Sequence, residues 1–96
     1  MMIIGFQEVK KEIIADLRFP SSEVLSEREK IVARQSDLDR ALALGNLEHA
    51  KIRIYFEDDD CCKMVETTVW GVTDNRVILK QGVVIPISRI HSVQLQ

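Results

Sequence analysis

Lys51-Ile52-Arg53-Ile54-Tyr55-Phe56 decides the reading of this chain. Ile52, Ile54 and Phe56 alternate with Lys51, Arg53 and Tyr55, the period of two that a strand shows when one face is buried and the other meets water. Everything after this stretch keeps that habit. Met64 to Val72 is rich in Thr and Val and predicts a second, longer strand, and Thr73-Asp74-Asn75 is turn chemistry. Arg76 to Lys80 predicts a third strand, Gln81-Gly82 a tight turn, and Val83 to Ile87 a fourth. Pro86 has no amide to donate, so it belongs at an edge or a strand end. Ser88-Arg89 bends the chain, and Ile90 to Leu95 closes the series as a fifth strand.

Before Lys51 the period is helical. Phe6, Val9, Ile13 and Leu17 recur at intervals of three and four between polar residues, which predicts a short amphipathic helix. Pro20 ends it, because the residue before a proline is pushed out of the helical region. Ser26 with Glu29 reads as a capping box opening a second, longer helix, with Ser22 as an alternative start. Val24, Ile31, Leu38 and Leu42 form its narrow apolar stripe, and Gly45-Asn46 is its expected stop. The fold expected is α+β, one domain over residues 1–96. Two N-terminal helices (residues 1–50) pack on a five-stranded antiparallel sheet (residues 51–96) curled into a small barrel.

Composition narrows the function. Ninety-six residues, 46% apolar and 29% charged, suit one ordinary globular domain. A net charge of −2 gives no overall field to draw in nucleic acid or an acidic membrane. Four of the acids lie in one run, Glu57-Asp58-Asp59-Asp60, and outside it the second half holds six bases against two acids. That run lacks the spaced oxygens and the glycine of a calcium loop, so it reads as a solvated hairpin tip. No apolar run approaches the roughly 20 residues that span a bilayer, and Met1-Met2-Ile3-Ile4-Gly5 is too short for a signal segment and has no basic leader. The cytoplasm is the expected compartment.

Candidate chemistry is sparse. Cys61 and Cys62 are neighbours and so cannot easily bridge each other. With His49 and His91 they suggest a zinc set, yet adjacent strand residues point to opposite faces, and metal pairs usually sit two to four residues apart. One cysteine is therefore expected inside and one at the surface, with no metal and no cofactor. His91 with Ser88 or Ser92, and His49 with Glu48, lack a nucleophile turn, and the four glycines are scattered rather than gathered in a phosphate loop. Neither a catalytic residue nor a small-molecule substrate is indicated, and the chain is read as a non-enzyme. The contact residues expected on the strands are Arg53, Tyr55, Trp70, Arg76, Lys80 and Arg89.

Lys51 to Gln96 resembles the small Sm-like and SH3-like proteins, in particular the bacterial Sm-like RNA chaperone and the Rho-binding antiterminator. The resemblance rests on a preceding helix, the Ile52-Arg53-Ile54-Tyr55-Phe56 strand, a long bent second strand and the Val83-Val84-Ile85-Pro86-Ile87-Ser88-Arg89-Ile90-His91-Ser92-Val93 ending. It implies ring formation through the strands at Val83–Ile87 and Ile90–Leu95. The Lys-His pair with which the chaperone binds uridine would fall at Ile87-Ser88, so the fold is implied more than the RNA binding. The function expected is a binding module that regulates a larger intracellular assembly, with RNA or single-stranded nucleic acid as the alternative partner. Two apolar helical stripes also imply self-association, as a homodimer first and a larger ring as the outside case.

Overall fold

A computed structural model describes residues 5–95. It contains one long helix and seven short strands, which form two sheets. The first four-stranded sheet has the order β1 (Gln7–Val9), β3 (Cys62–Thr67), β2 (Ile52–Glu57), β7 (Ile90–Gln94). The second has the order β4 (Val69–Val72), β5 (Arg76–Leu79), β6 (Val84–Pro86). The helix, α1, runs from Arg28 to Glu48 and packs on β4 and β7, touching both sheets.

The expected pair of helices on a five-stranded barrel is therefore corrected. Among the described residues neither sheet closes into a barrel, and the first helix is absent. Its residues instead supply β1, which pairs parallel with β3, and a 3-10 turn at Lys11–Asp16. A helix this short is marginal on its own, and the outer edge of β3 offers Gln7–Val9 a row of backbone partners. Ile14, 1% exposed, becomes the buried anchor of the segment while Ile13 turns to solvent. The apolar Met1 to Ile4 lies outside the described residues.

The helix differs at both ends from its sequence reading. It starts at Arg28 after Glu27, with no side-chain cap from Ser26. Val24 stays in the linker, where its amide donates to the Ser88 carbonyl. Gly45 does not stop α1. A Cβ there would collide with the Val69 carbonyl, so this glycine lets the helix lie against β4. The helix ends instead at His49, in the left-handed conformation at φ 54°, whose amide donates to the Gly45 carbonyl. Leu38, fully buried, and Ala41 face the molecule's own sheets. Of the narrow apolar stripe, Leu38 is thus taken up internally, with Leu42 packed partly against the same core.

The strands fall close to their expected places, with one break. The single strand expected over 64–72 is two strands in different sheets, divided at Thr68. There the backbone turns from one sheet to the other, and the Thr68 hydroxyl donates to the His49 carbonyl at 3.3 Å. Pro86 closes β6, an edge strand, where its missing amide is harmless. Inward residues of both sheets, Ile52, Ile54, Phe56, Val65, Val69, Val77, Leu79, Ile85 and Ile90, form one core with Leu38 and Ile14. Each such side chain contributes about 1.5–3 kcal/mol when fully buried.

Candidate functional site

The six expected contact residues do not share one surface. Arg53 and Tyr55 point outward from β2, as the alternation requires. Arg53 lies 3.8 Å from Glu66 across the strand pair. The Tyr55 hydroxyl donates to Gln94 Oε1 at 2.9 Å, and the ring meets Phe6 edge-on at 5.0 Å. Arg76 is exposed at the start of β5, beside Phe19, Pro20 and Pro86.

Arg89 is a correction. The 3-10 turn at Ile87–Arg89 swings it inward, leaving it 5% exposed. Its Nε donates to the Glu57 carbonyl at 3.1 Å, Nη1 to the Ser22 carbonyl at 2.9 Å, and Nη2 to the Asp58 carbonyl at 3.3 Å. A guanidinium carries five donors in a rigid fork, and here they tie the helix-side linker to the end of β2. Arg89 is a clamp, not a contact residue.

Trp70 and Lys80 do come together. Trp70 stands outward on β4 and is 52% exposed, the barest aromatic described. Lys80 follows β5, and its amide donates to the Thr68 carbonyl at 3.0 Å, which registers it beside Trp70. His49 and Lys51 complete a shallow cleft of about 310 Å³ over Thr68. His49 arrives because α1 ends in its left-handed turn, and Lys51 because it opens the connection into β2. Sequence reasoning missed both, since nothing local links residues 49–51 to 68–80; the packing of α1 on β4 makes the link. Neither Lys51 nor Lys80 has a carboxylate partner among the described residues.

The acidic run is the solvated tip expected of it only at Asp59 and Asp60, which are exposed. Asp58 is buried, and its Oδ2 accepts from Lys63 Nζ at 2.7 Å. Its Oδ1 accepts the amides of Asp60 and Cys61 at 2.9 and 2.8 Å, closing the turn between β2 and β3. Burial pushes the Asp58 carboxyl up, but Lys63 and the two amides outweigh it and hold the group below its ordinary value. The same hydrogen bond raises Lys63 above the usual lysine value. A second ion pair was also unforeseen. Arg34, 4% exposed, grips Glu23 with both terminal nitrogens, at 2.7 and 2.6 Å, and donates to the Ile90 carbonyl at 2.9 Å. This bond, and to a lesser degree backbone amides, lowers the Glu23 carboxyl against a smaller desolvation effect.

Glu57 is the centre of a third cluster. Its Oε1 lies 2.9 Å from His91 Nε2 and 3.7 Å from Cys62 Sγ, and its Oε2 is 3.7 Å from Arg89 Nη2. Burial, reinforced by Glu57, pushes the Cys62 thiol up. The one-in, one-out expectation for the cysteines gives way: both are half-buried and free. Cys61 turns toward Lys63 Nζ, 3.1 Å away, and His49 is exposed at the far Trp70 cleft. His91 bonds Glu57 rather than Ser88 or Ser92.

No described helix is long and apolar enough to cross a membrane. Compared with protein-family models, with curated proteins and with solved structures, the chain matches none.

Proposed function

We propose that this chain is a non-enzymatic binding module serving a larger intracellular assembly, and that its contact surface is the cleft walled by Trp70. One observation carries the reading. A large aromatic half in water lines one cleft with two lysines that have no carboxylate partner among the described residues. An exposed indole costs solvation unless it has a partner to cover it, and aromatic residues anchor interfaces out of proportion to their number. Lys51 and Lys80 select for an anionic face on that partner, an acidic protein segment in the first instance. Capture from the source cell with the full chain and with the Trp70→Ala and Lys80→Glu variants tests this. The supporting result is a partner lost from both variants and retained by Arg76→Ala, whose residue lies outside the cleft. A partner retained by both cleft variants refutes it.

The same observation favours one second reading, binding of single-stranded nucleic acid. A base stacked on Trp70 is worth about 1–3 kcal/mol and needs no sequence preference, and two lysines suit flanking phosphates. The Sm-like resemblance read over residues 51–96 belongs with this alternative. Two phosphate contacts give a salt slope of about −1.4, so affinity falls about sevenfold between 50 and 200 mM salt. Trp70 is the only tryptophan, so its fluorescence reports binding directly. If homopolymer RNA and single-stranded DNA leave it unchanged at low salt, this reading fails and the protein-partner reading stands.

A further inference from the structure

We propose that Glu57, Cys62 and His91 form a binding site for a zinc-class divalent cation, with one coordination position left to water or to an incoming ligand. The order β3–β2–β7 sets three adjacent strands side by side. Glu57 ends β2 and is the register partner of Cys62, which opens β3. His91 reaches the same row because of an irregularity in the ladder. Tyr55 pairs with Ser92, but the next residue, Phe56, pairs with Ile90, so His91 is the extra residue of a bulge. Ile90 and Val93 both stay in the core, and His91 and Ser92 are left on the outer face with Glu57. Bulges often re-aim a side chain in this way beside functional sites.

The geometry fits a small tetrahedral ion. One carboxylate oxygen, one thiol sulfur and one imidazole nitrogen lie within 4.8 Å of one another. Zinc bonds of about 2.0–2.3 Å to O, N and S place tetrahedral ligands about 3.3–3.7 Å apart. The separations of 2.9 Å from Glu57 Oε1 to His91 Nε2 and 3.7 Å to Cys62 Sγ bracket that range, so side-chain rotation suffices. The donor set, mixing thiolate, imidazole and carboxylate, suits zinc rather than the all-oxygen shells of magnesium or calcium.

The surroundings hold the ligands in place. Arg89 lies beside Glu57 Oε2 and is itself fixed by three backbone carbonyls, leaving Oε1 for the metal. Outer partners of this kind orient a ligand and are costly to remove. The Phe6 ring packs edge-on against His91 with centroids 5.8 Å apart, an apolar wall on one side of the site. Glu57 and His91 remain partly exposed, at 36% and 28% of their side chains, so an ion can enter without unfolding. Binding displaces the thiol proton to solvent and leaves thiolate and carboxylate to balance the dication.

Cobalt(II) is the probe, because it takes zinc's place and reports its ligands by absorption. The full chain, stripped of metal and kept reduced without a chelating thiol, should take up one equivalent. A thiolate-to-cobalt charge-transfer band and tetrahedral visible bands should appear, and zinc should erase them. Cys62→Ser should abolish the charge-transfer band. His91→Ala and Glu57→Gln should each weaken uptake by more than the roughly 10–100-fold typical of losing an outer partner. Cys61→Ser, which removes a thiol facing Lys63, should leave binding intact. Circular dichroism of each variant separates loss of a ligand from loss of fold, and Glu57→Gln, nearly isosteric, keeps the test open should either other variant unfold. Absence of the band in the wild-type chain, its survival in Cys62→Ser, or its loss in Cys61→Ser overturns the assignment.

Discussion

Truncating Asp58 to alanine is the perturbation on which the structure and a plain reading of the acidic run disagree most. As a solvated tip residue it should cost nothing measurable. In the structure its carboxylate is 2% exposed and pairs at 2.7 Å with a lysine 7% exposed, while closing the turn through two amides. Asp58→Ala leaves the Lys63 ammonium buried with only the Cys61 sulfur at 3.1 Å. Removing one member of a buried pair costs about 3–5 kcal/mol. Lys63→Met is milder, about 1–3 kcal/mol, because Asp58 keeps both amide donors. The double variant has no orphaned charge, so it should cost less than the sum of the two by about 2 kcal/mol or more. Urea unfolding measures all three. With a slope of about 1–1.5 kcal/mol/M for a domain of this size, Asp58→Ala moves the midpoint down by about 3 M. Against a total of roughly 5–15 kcal/mol this is a large fraction of the stability. A cost under about 1 kcal/mol for Asp58→Ala, with no coupling to Lys63, would refute the buried pair and restore the hairpin-tip reading.

Acid should act through the same carboxylates. Asp58 and Glu23 titrate in the folded state below their ordinary values of 3.8 and 4.5, so their stabilisation is whole above those values and is lost as pH falls through the lowered ones. Lys63 runs the other way: its contribution is whole below 10.5 and is lost as pH rises past its raised folded value. Midpoints measured against pH should therefore drop at both extremes, and Glu23→Gln should shallow the acid limb; an unchanged limb contradicts the Glu23–Arg34 pair. Gly45→Ala should destabilise by about 1–3 kcal/mol, although alanine is the better helix former, since its Cβ meets the Val69 carbonyl; stabilisation in thermal melts would mean that α1 does not rest on β4. Leu38→Glu should unfold the monomer rather than split a dimer, because Leu38 is in the core. Light scattering together with circular dichroism checks this, and a folded monomeric variant contradicts it.

What was legible in the sequence, and what was not, divides by the range of the interactions responsible. The strand at Ile52–Phe56, the turns at 73–75 and 81–82, and the position of Pro86 rest on local rules, and they hold. Gln81 and Gly82 take φ 70° and 84°, the left-handed pair that a tight hairpin turn demands. The first helix failed because Gln7–Val9 answers to the edge of β3, more than 50 residues away, and a period seen over three turns cannot register that competitor. Gly45 failed for the same reason: a glycine near a helix end reads as a stop, yet here it answers to the Val69 backbone. Polar residues are the least legible. Nothing local marks Asp58, Lys63, Arg34 and Arg89 for burial, since charged residues are rarely buried. Their burial depends on partners that only the fold supplies, and three of the four bond to residues at least 11 positions away or to a turn that forms in the folded state. The candidate sites obey the same logic. Trp70 and Lys80 were visible as exposed strand residues, but His49 and Lys51 join them only once α1 lies on β4. Glu57, Cys62 and His91 are separated by up to 34 residues and meet through a one-residue bulge, a displacement that strict alternation does not foresee. Adjacent cysteines argue against a metal only where both must be ligands; the proposed site uses Cys62 alone and takes its other ligands from neighbouring strands.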